Sequence, residues 1–138
     1  MAYGADMQND LNPERVAQLS EAILTNFGTL SDEAVLQSFQ ALDDFAQSKA
    51  ITISFAHFYI LFGALNFPRL DDGRVMFAGV TAAQAAKLLS TSPSKMGRWL
   101  MTLTEKGLLE RDVSGAYKIA DIDVWFELSK ATTAIGMT

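Results

Sequence analysis

The sequence predicts a mainly α-helical domain that carries one small β-hairpin towards its C-terminal end. Three observations predict it. Apolar residues recur at three- and four-residue spacing through most of the 138 residues, the pattern of helices that bury one face. Beyond residue 107 the pattern gives way to two short β-prone runs, LLERDV and AYKIA, with Ser114-Gly115 between them. A hydrophobic content of 49% in a chain of this length fills one core and is too little for two comfortable ones.

The first helix is expected where Asn12 caps and Pro13 takes the first turn, a position whose amide has no helical partner. Val16, Leu19, Ile23, Leu24 and Phe27 form its apolar stripe, and Gly28 stops it. A second helix starts at Ser31, with Asp32 and Glu33 near the positive end of its dipole. Val35, Phe39, Leu42 and Ala46 face inward there, while Asp43, Asp44, Gln47 and Lys49 face water. The run ITISFAHFYILFGALNF, residues 51–67, is apolar nearly all round, which predicts the central core helix or a seam with a second subunit. Pro68 ends it.

After that come a turn at Asp72-Gly73 and a β-prone run, Val75 to Phe77, read as a lone strand or hairpin arm; the rest of the 69–80 stretch is loop. Thr81 with Gln84 three residues on is a capping box, opening a helix that packs through Ala85, Ala86, Leu88 and Leu89. STSPS turns the chain into a further helix, about Pro93 to Lys106, with Met96, Trp99, Leu100 and Leu103 inward and Ser94, Lys95, Arg98, Met101, Thr102 and Glu105 on or near the other side. Gly107 ends it, the hairpin follows with a tight turn at Ser114-Gly115, and from about Asp121 a last helix points Val124, Trp125, Leu128 and Ala131 inward.

Composition narrows the chemistry. The chain has no cysteine and a single histidine, His57, so thiolate zinc sites, disulfides and histidine-based triads have no donors. No phosphate-cradling glycine motif or nucleophile elbow occurs, and Asp43-Asp44 and Asp71-Asp72 are sequence neighbours, which in a helix diverge by about 100° and make no acid–base pair. The expectation is a non-enzyme without cofactor or metal. The first residues lack the basic and apolar regions of a signal peptide and no apolar run reaches membrane length, so a soluble cytoplasmic protein is expected.

The net charge of −5 is unevenly distributed: −6 over residues 1–68, +3 over 69–118 and −2 over 119–138. Sign asymmetry of this kind points to a partner for the basic segment. Helix, short turn, second helix with basic and hydroxyl residues outward, then a hairpin is the layout of a winged helix-turn-helix, in which the second helix enters the DNA major groove and the hairpin reaches a phosphate or the minor groove. Ser92, Ser94, Lys95 and Arg98 suit that task, because hydroxyls bond base edges or phosphates and arginine grips guanine with two bonds. Phe55, Phe58, Tyr59 and Phe62 form an i, i+3, i+4, i+7 stripe; with His57 beside it, Phe55, Tyr59 and Phe62 are a candidate effector pocket, against the alternative of ordinary core or dimer packing.

The stretch VTAAQAAKLLSTSPSKMGRWLMTLTEKGLLERD, residues 80–112, resembles the DNA-binding core of the MarR family of bacterial transcription regulators, and GLLERDVSGAY is also similar to the winged domain of IclR-like regulators. The resemblance implies a homodimeric regulator of double-stranded DNA, dimerised through its terminal helices and tuned by a small-molecule effector. It carries recognition-helix roles to Ser92, Ser94, Lys95, Arg98 and Thr102, and wing-side roles to Arg111 and Lys118. On this reading residues 1–11 are a flexible N-terminus and 12–138 a single winged-helix domain: dimerisation helices 12–50, winged core 51–120 and C-terminal helix 121–138. The alternative is a winged-helix protein-interaction module without useful DNA affinity.

Overall fold

The computed structural model describes residues 13–25 and 32–137, with side chains for 13–24 and 40–132. Residues 1–11, the Asn12 and Ser31 caps, Phe27 and Gly28 lie outside the described residues, as do the side chains of Val35 and Phe39. Six helices and three short strands are described: α1 Pro13–Thr25, α2 Asp32–Lys49, α3 Ile53–Leu65, β1 Val80–Thr81, α4 Ala82–Leu88, α5 Pro93–Glu105, β2 Leu109–Arg111, β3 Ala116–Ile119 and α6 Ile122–Met137. The chain is thus mainly helical with a small antiparallel sheet in the order β1-β3-β2.

α3 is the hub. Thr52 caps it by accepting from the Phe55 amide at 3.1 Å, and Ala56 and Phe58 to Ala64 are all buried. α1 and α6 pack on it, α2 covers it from another side, and α5 touches it through the Phe58–Trp99 edge contact at 5.2 Å. α2 and α3 meet at a 99° bend, and among the described residues no single helix is long and apolar enough to cross a membrane. One continuous core therefore runs from Val16 to Leu128, so burial of the all-apolar helix needs no second subunit.

Trp125 of α6 fits close against α3 because residue 63 is glycine: a Cβ there would overlap the indole Nε1 and Cδ1. Its Nε1–H donates to the Ile60 carbonyl at 3.1 Å, satisfying the one polar atom of a fully buried side chain. Phe67 continues the stack, 5.3 Å from Trp125 on one side and 5.1 Å from Phe77 on the other.

Asn66, fully buried at the C-terminus of α3, joins the helices to the sheet. Its Nδ2 donates to the carbonyls of Ala78 and Tyr117 at 2.9 and 3.2 Å, and its Oδ1 accepts from the Ile119 amide at 3.0 Å. Nothing in the local sequence announces this role.

The 69–75 segment is a small antiparallel turn, with Arg69 bridged to Val75 and Gly73 at φ 88°. Arg69 fastens it to α1: both terminal nitrogens reach Glu14 at 3.1 and 2.9 Å, Glu21 is bonded at 3.2 and 3.4 Å, and the Gly73 carbonyl at 2.9 Å. The strand expected at Val75 to Phe77 is reduced to the Val75 bridge; the real strand is Val80–Thr81, because β3 offers its free edge there.

Three helix ends close with a residue of positive φ, Ala50 at 56°, Ser90 at 56° and Gly107 at 78°. In each the following amide reaches back five residues, as in Ile51 to Ala46, Thr91 to Ala86 and Leu108 to Leu103. Only Gly107 adopts this conformation without steric penalty.

Six inward expectations are corrected. Leu24 is 40% and Leu88 63% exposed, Ala131 is exposed, and Leu89, Trp99 and Val124 are half-buried. α6 turns Trp125, Phe126, Leu128, Ser129 and Thr132 inward instead, since it is gripped by α1 and α2 as well as α3 and buries a broader face than one stripe.

Candidate nucleic-acid interface

α4 and α5 are short helices joined by the tight turn at Ser90. The capping box at Thr81 is complete: its hydroxyl accepts from the Gln84 amide at 3.2 Å while the Gln84 side chain accepts from the Thr81 amide at 2.9 Å. Ser92 caps α5 by accepting from the Lys95 amide at 3.2 Å, and Pro93 occupies the first turn. Met96, Leu100 and Leu103 anchor α5 in the core with almost no exposure.

Opposite them lies a solvent-facing surface of Ser94, Lys95, Arg98, Met101 and Glu105. At about 100° per residue, Ser94, Arg98 and Glu105 run down its centre, Lys95 and Thr102 flank one side, and Gly97 and Met101 the other. Among the described residues no carboxylate lies within ion-pair distance of Lys95 or Arg98. Lys95 Nζ sits 5.8 Å from the Trp99 ring centre, a contact that leaves its hydrogen-bond donors to solvent. Thr102 is half-buried and its hydroxyl donates to the Arg98 carbonyl at 3.0 Å, so it is largely turned to its own helix. Ser92 combines its candidate role with the cap.

The basic segment divides in two. Arg69 and Arg74 are bonded to Glu14, Glu21 and Asp72, the last at 2.6 Å. Lys87, Lys95, Arg98, Lys106 and Arg111 are exposed, and the ion pairs of the described residues do not include them.

The hairpin loop is four residues, Asp112 to Gly115, rather than the tight Ser114-Gly115 turn expected. The reason is the Asp112 carboxylate, which accepts from the Ser114 amide at 2.8 Å, the Ser114 hydroxyl at 2.5 Å and the Ala116 amide at 3.1 Å. These bonds, the Ser114 hydroxyl first, hold its pKa below the usual carboxylate range. The register pairs Arg111 with Tyr117 and Glu110 with Lys118. Adjacent pairs point to opposite faces, so Arg111 and Lys118 leave the hairpin on different sides and do not form one wing contact. Arg111 lies over Tyr117 at 5.5 Å and is exposed; Lys118 is half-buried over Phe77 at 5.2 Å. Val113, the fully exposed tip, carries no charge.

Of the candidate effector residues, Phe55, Tyr59 and Phe62 share one face of α3. Tyr59 stacks on Phe45 at 5.5 Å and Phe62 is fully buried, both as interior packing; Phe55 is half-buried and His57 exposed. Burial, with the negative charge of Asp121 second, pushes the Tyr59 phenol up so that it stays protonated. A shallow cleft of about 120 Å³ lies elsewhere, between α1 and α6, lined by Arg15, Gln18, Leu19, Phe126 and Lys130. It went unread because its walls come from the two ends of the chain.

Met101, which the spacing places on the outward side without giving it a role, is 52% exposed on the same face as Arg98. Helical spacing alone places it there. No family model, no curated protein and no solved structure matches this chain.

Proposed function

We propose that the chain is a winged helix-turn-helix protein of MarR-like type that binds double-stranded DNA sequence-specifically as a cytoplasmic homodimer and regulates transcription. The observation that carries this reading is the exposed face of α5, with Ser94, Lys95 and Arg98 free of carboxylate partners among the described residues, on a helix pair followed by a hairpin. The return strand β3 pairs with both β2 and the strand entering α4, which ties the hairpin to the helix pair. Side-chain donors within the first two turns of α5 suit base edges, and Lys87, Lys106 and Arg111 suit phosphates. The reading has no catalytic role for any residue and no cofactor. Control by a small-molecule effector is part of the MarR-like reading.

The test is fluorescence anisotropy of a labelled duplex from upstream of the chain's own gene, with random duplex as competitor, over a salt series. Saturable binding that survives competitor and falls in the Lys95→Ala/Arg98→Ala double variant supports the reading. Each lost phosphate contact lowers the slope of log affinity against log salt by about 1. A folded protein that binds nothing at low salt overturns it in favour of a protein-interaction surface. Light scattering at micromolar concentration decides the dimer, which a monomeric mass excludes.

A further inference from the structure

We infer that α5 reads a guanine and a thymine on neighbouring base steps, Arg98 gripping the guanine and Met101 packing on the thymine methyl; this rests on the DNA-binding reading above. Arg98 is exposed at the centre of the outward face, and its planar fork matches the two acceptors that guanine shows in the major groove. Met101 follows three residues later, displaced along the axis by roughly 4.5 Å, which is between one and two base steps of about 3.4 Å. It is a large apolar side chain left half in water between a cation and Glu105. The thymine methyl is the apolar feature of the major groove that such a group fits.

Gly97 adds a second, independent observation. It lies in the middle of α5, where glycine weakens a helix, and its backbone has no positive φ that would call for it. A Cβ at this position would meet nothing within 4 Å, so no neighbour in the fold excludes a side chain. The helix surface at Gly97 is therefore open, and it adjoins Arg98 and Met101 on the outward side of α5. Glu105, one turn beyond Met101, is an acceptor that repels phosphate and confines close approach to the first two and a half turns of the helix.

The experiment selects bound duplexes from a random pool and then replaces each thymine of the selected duplex, one at a time, by deoxyuridine, which lacks only the methyl group. The expected result is one thymine whose replacement weakens wild-type binding about fourfold, the worth of one buried methyl, and has no effect on Met101→Ala. Replacing the adjacent guanine by 7-deazaguanine weakens the wild type and is silent in Arg98→Ala. If every deoxyuridine duplex binds the wild type like its parent, or if the loss persists in Met101→Ala, the inference is wrong while DNA binding stands. If no duplex is enriched by folded protein, the DNA-binding reading itself has failed.

Discussion

The junction at Asn66 and the outward face of α5 treat polar groups in opposite ways. At the junction each polar atom of the Asn66 side chain has a protein partner, and the neighbouring Trp125 N–H has one as well. On α5 the cationic donors of Lys95 and Arg98 reach no carboxylate among the described residues. Folding stability accounts for the first arrangement, because buried groups left unpaired are expensive. It does not account for the second, since two exposed cations on one helix face gain nothing from each other. The same contrast separates Arg69 from Arg98: both belong to the basic segment, and only one is consumed by the fold.

The sharpest way to break this comparison is at the junction. Asn66→Ala removes three bonds to the backbone of Ala78, Tyr117 and Ile119 and is expected to cost roughly 4 kcal/mol by denaturant unfolding. A loss below about 1 kcal/mol would mean that water replaces the amide and the junction is no hub. Gly63→Ala forces Trp125 off α3 and is expected to cost about 3 kcal/mol, with the tryptophan emission shifted to the red. Arg98→Ala acts on the other region alone: unfolding free energy within about 0.5 kcal/mol of wild type, DNA affinity down by roughly tenfold to a hundredfold. A destabilised Arg98→Ala protein would show that α5's outer face serves the fold after all.

Smaller effects sharpen the picture. Ser90→Gly relieves a left-handed serine in the α4–α5 turn and Gly97→Ala strengthens α5, each stabilising by about 1 kcal/mol in thermal melts. The smallest effect is pH dependence. Glu14 is held below the ordinary carboxylate range, first by its hydrogen bonds from Arg69, and Asp112 by the Ser114 hydroxyl. The folded state therefore binds fewer protons than the unfolded state, so these contributions are present above the usual carboxylate pKa of about 4 and fade as pH falls through it to the lowered values. Glu14→Gln is expected to flatten part of that acid limb. The groups are exposed, so added salt shrinks the difference.

Helix boundaries were legible where a local signal exists. Thr81 with Gln84, Ser92 with Pro93, and Gly107 act within three or four residues of the backbone they cap, and each does what its spacing implies. The left-handed ends at Ala50 and Ser90 were not legible, because neither residue prefers that conformation; tertiary packing imposes it. The strand at Val80 was hidden for a similar reason: two residues carry no periodicity, and the partner edge lies far along the chain at Ala116 and Tyr117. The aromatic residues of α3 were visible as a stripe, yet whether they line a cavity or fill a core depends on Phe45 and Trp99, which arrive from α2 and α5.

The sequence by itself determined the helical class, the late hairpin, the inward face of α5 and its outward Ser94, Lys95 and Arg98, since all follow from spacing and caps that operate within about one helical turn. Tertiary structure alone decided that Arg69 is tied to glutamates 48 and 55 residues away while Arg98 stays open. It also decided that Asn66 bonds the backbone 53 residues on, and that Arg111 and Lys118 face opposite ways. Charge and hydrogen-bonding capacity are local properties of a residue; whether they are used up is a matter of which distant segment packs beside it.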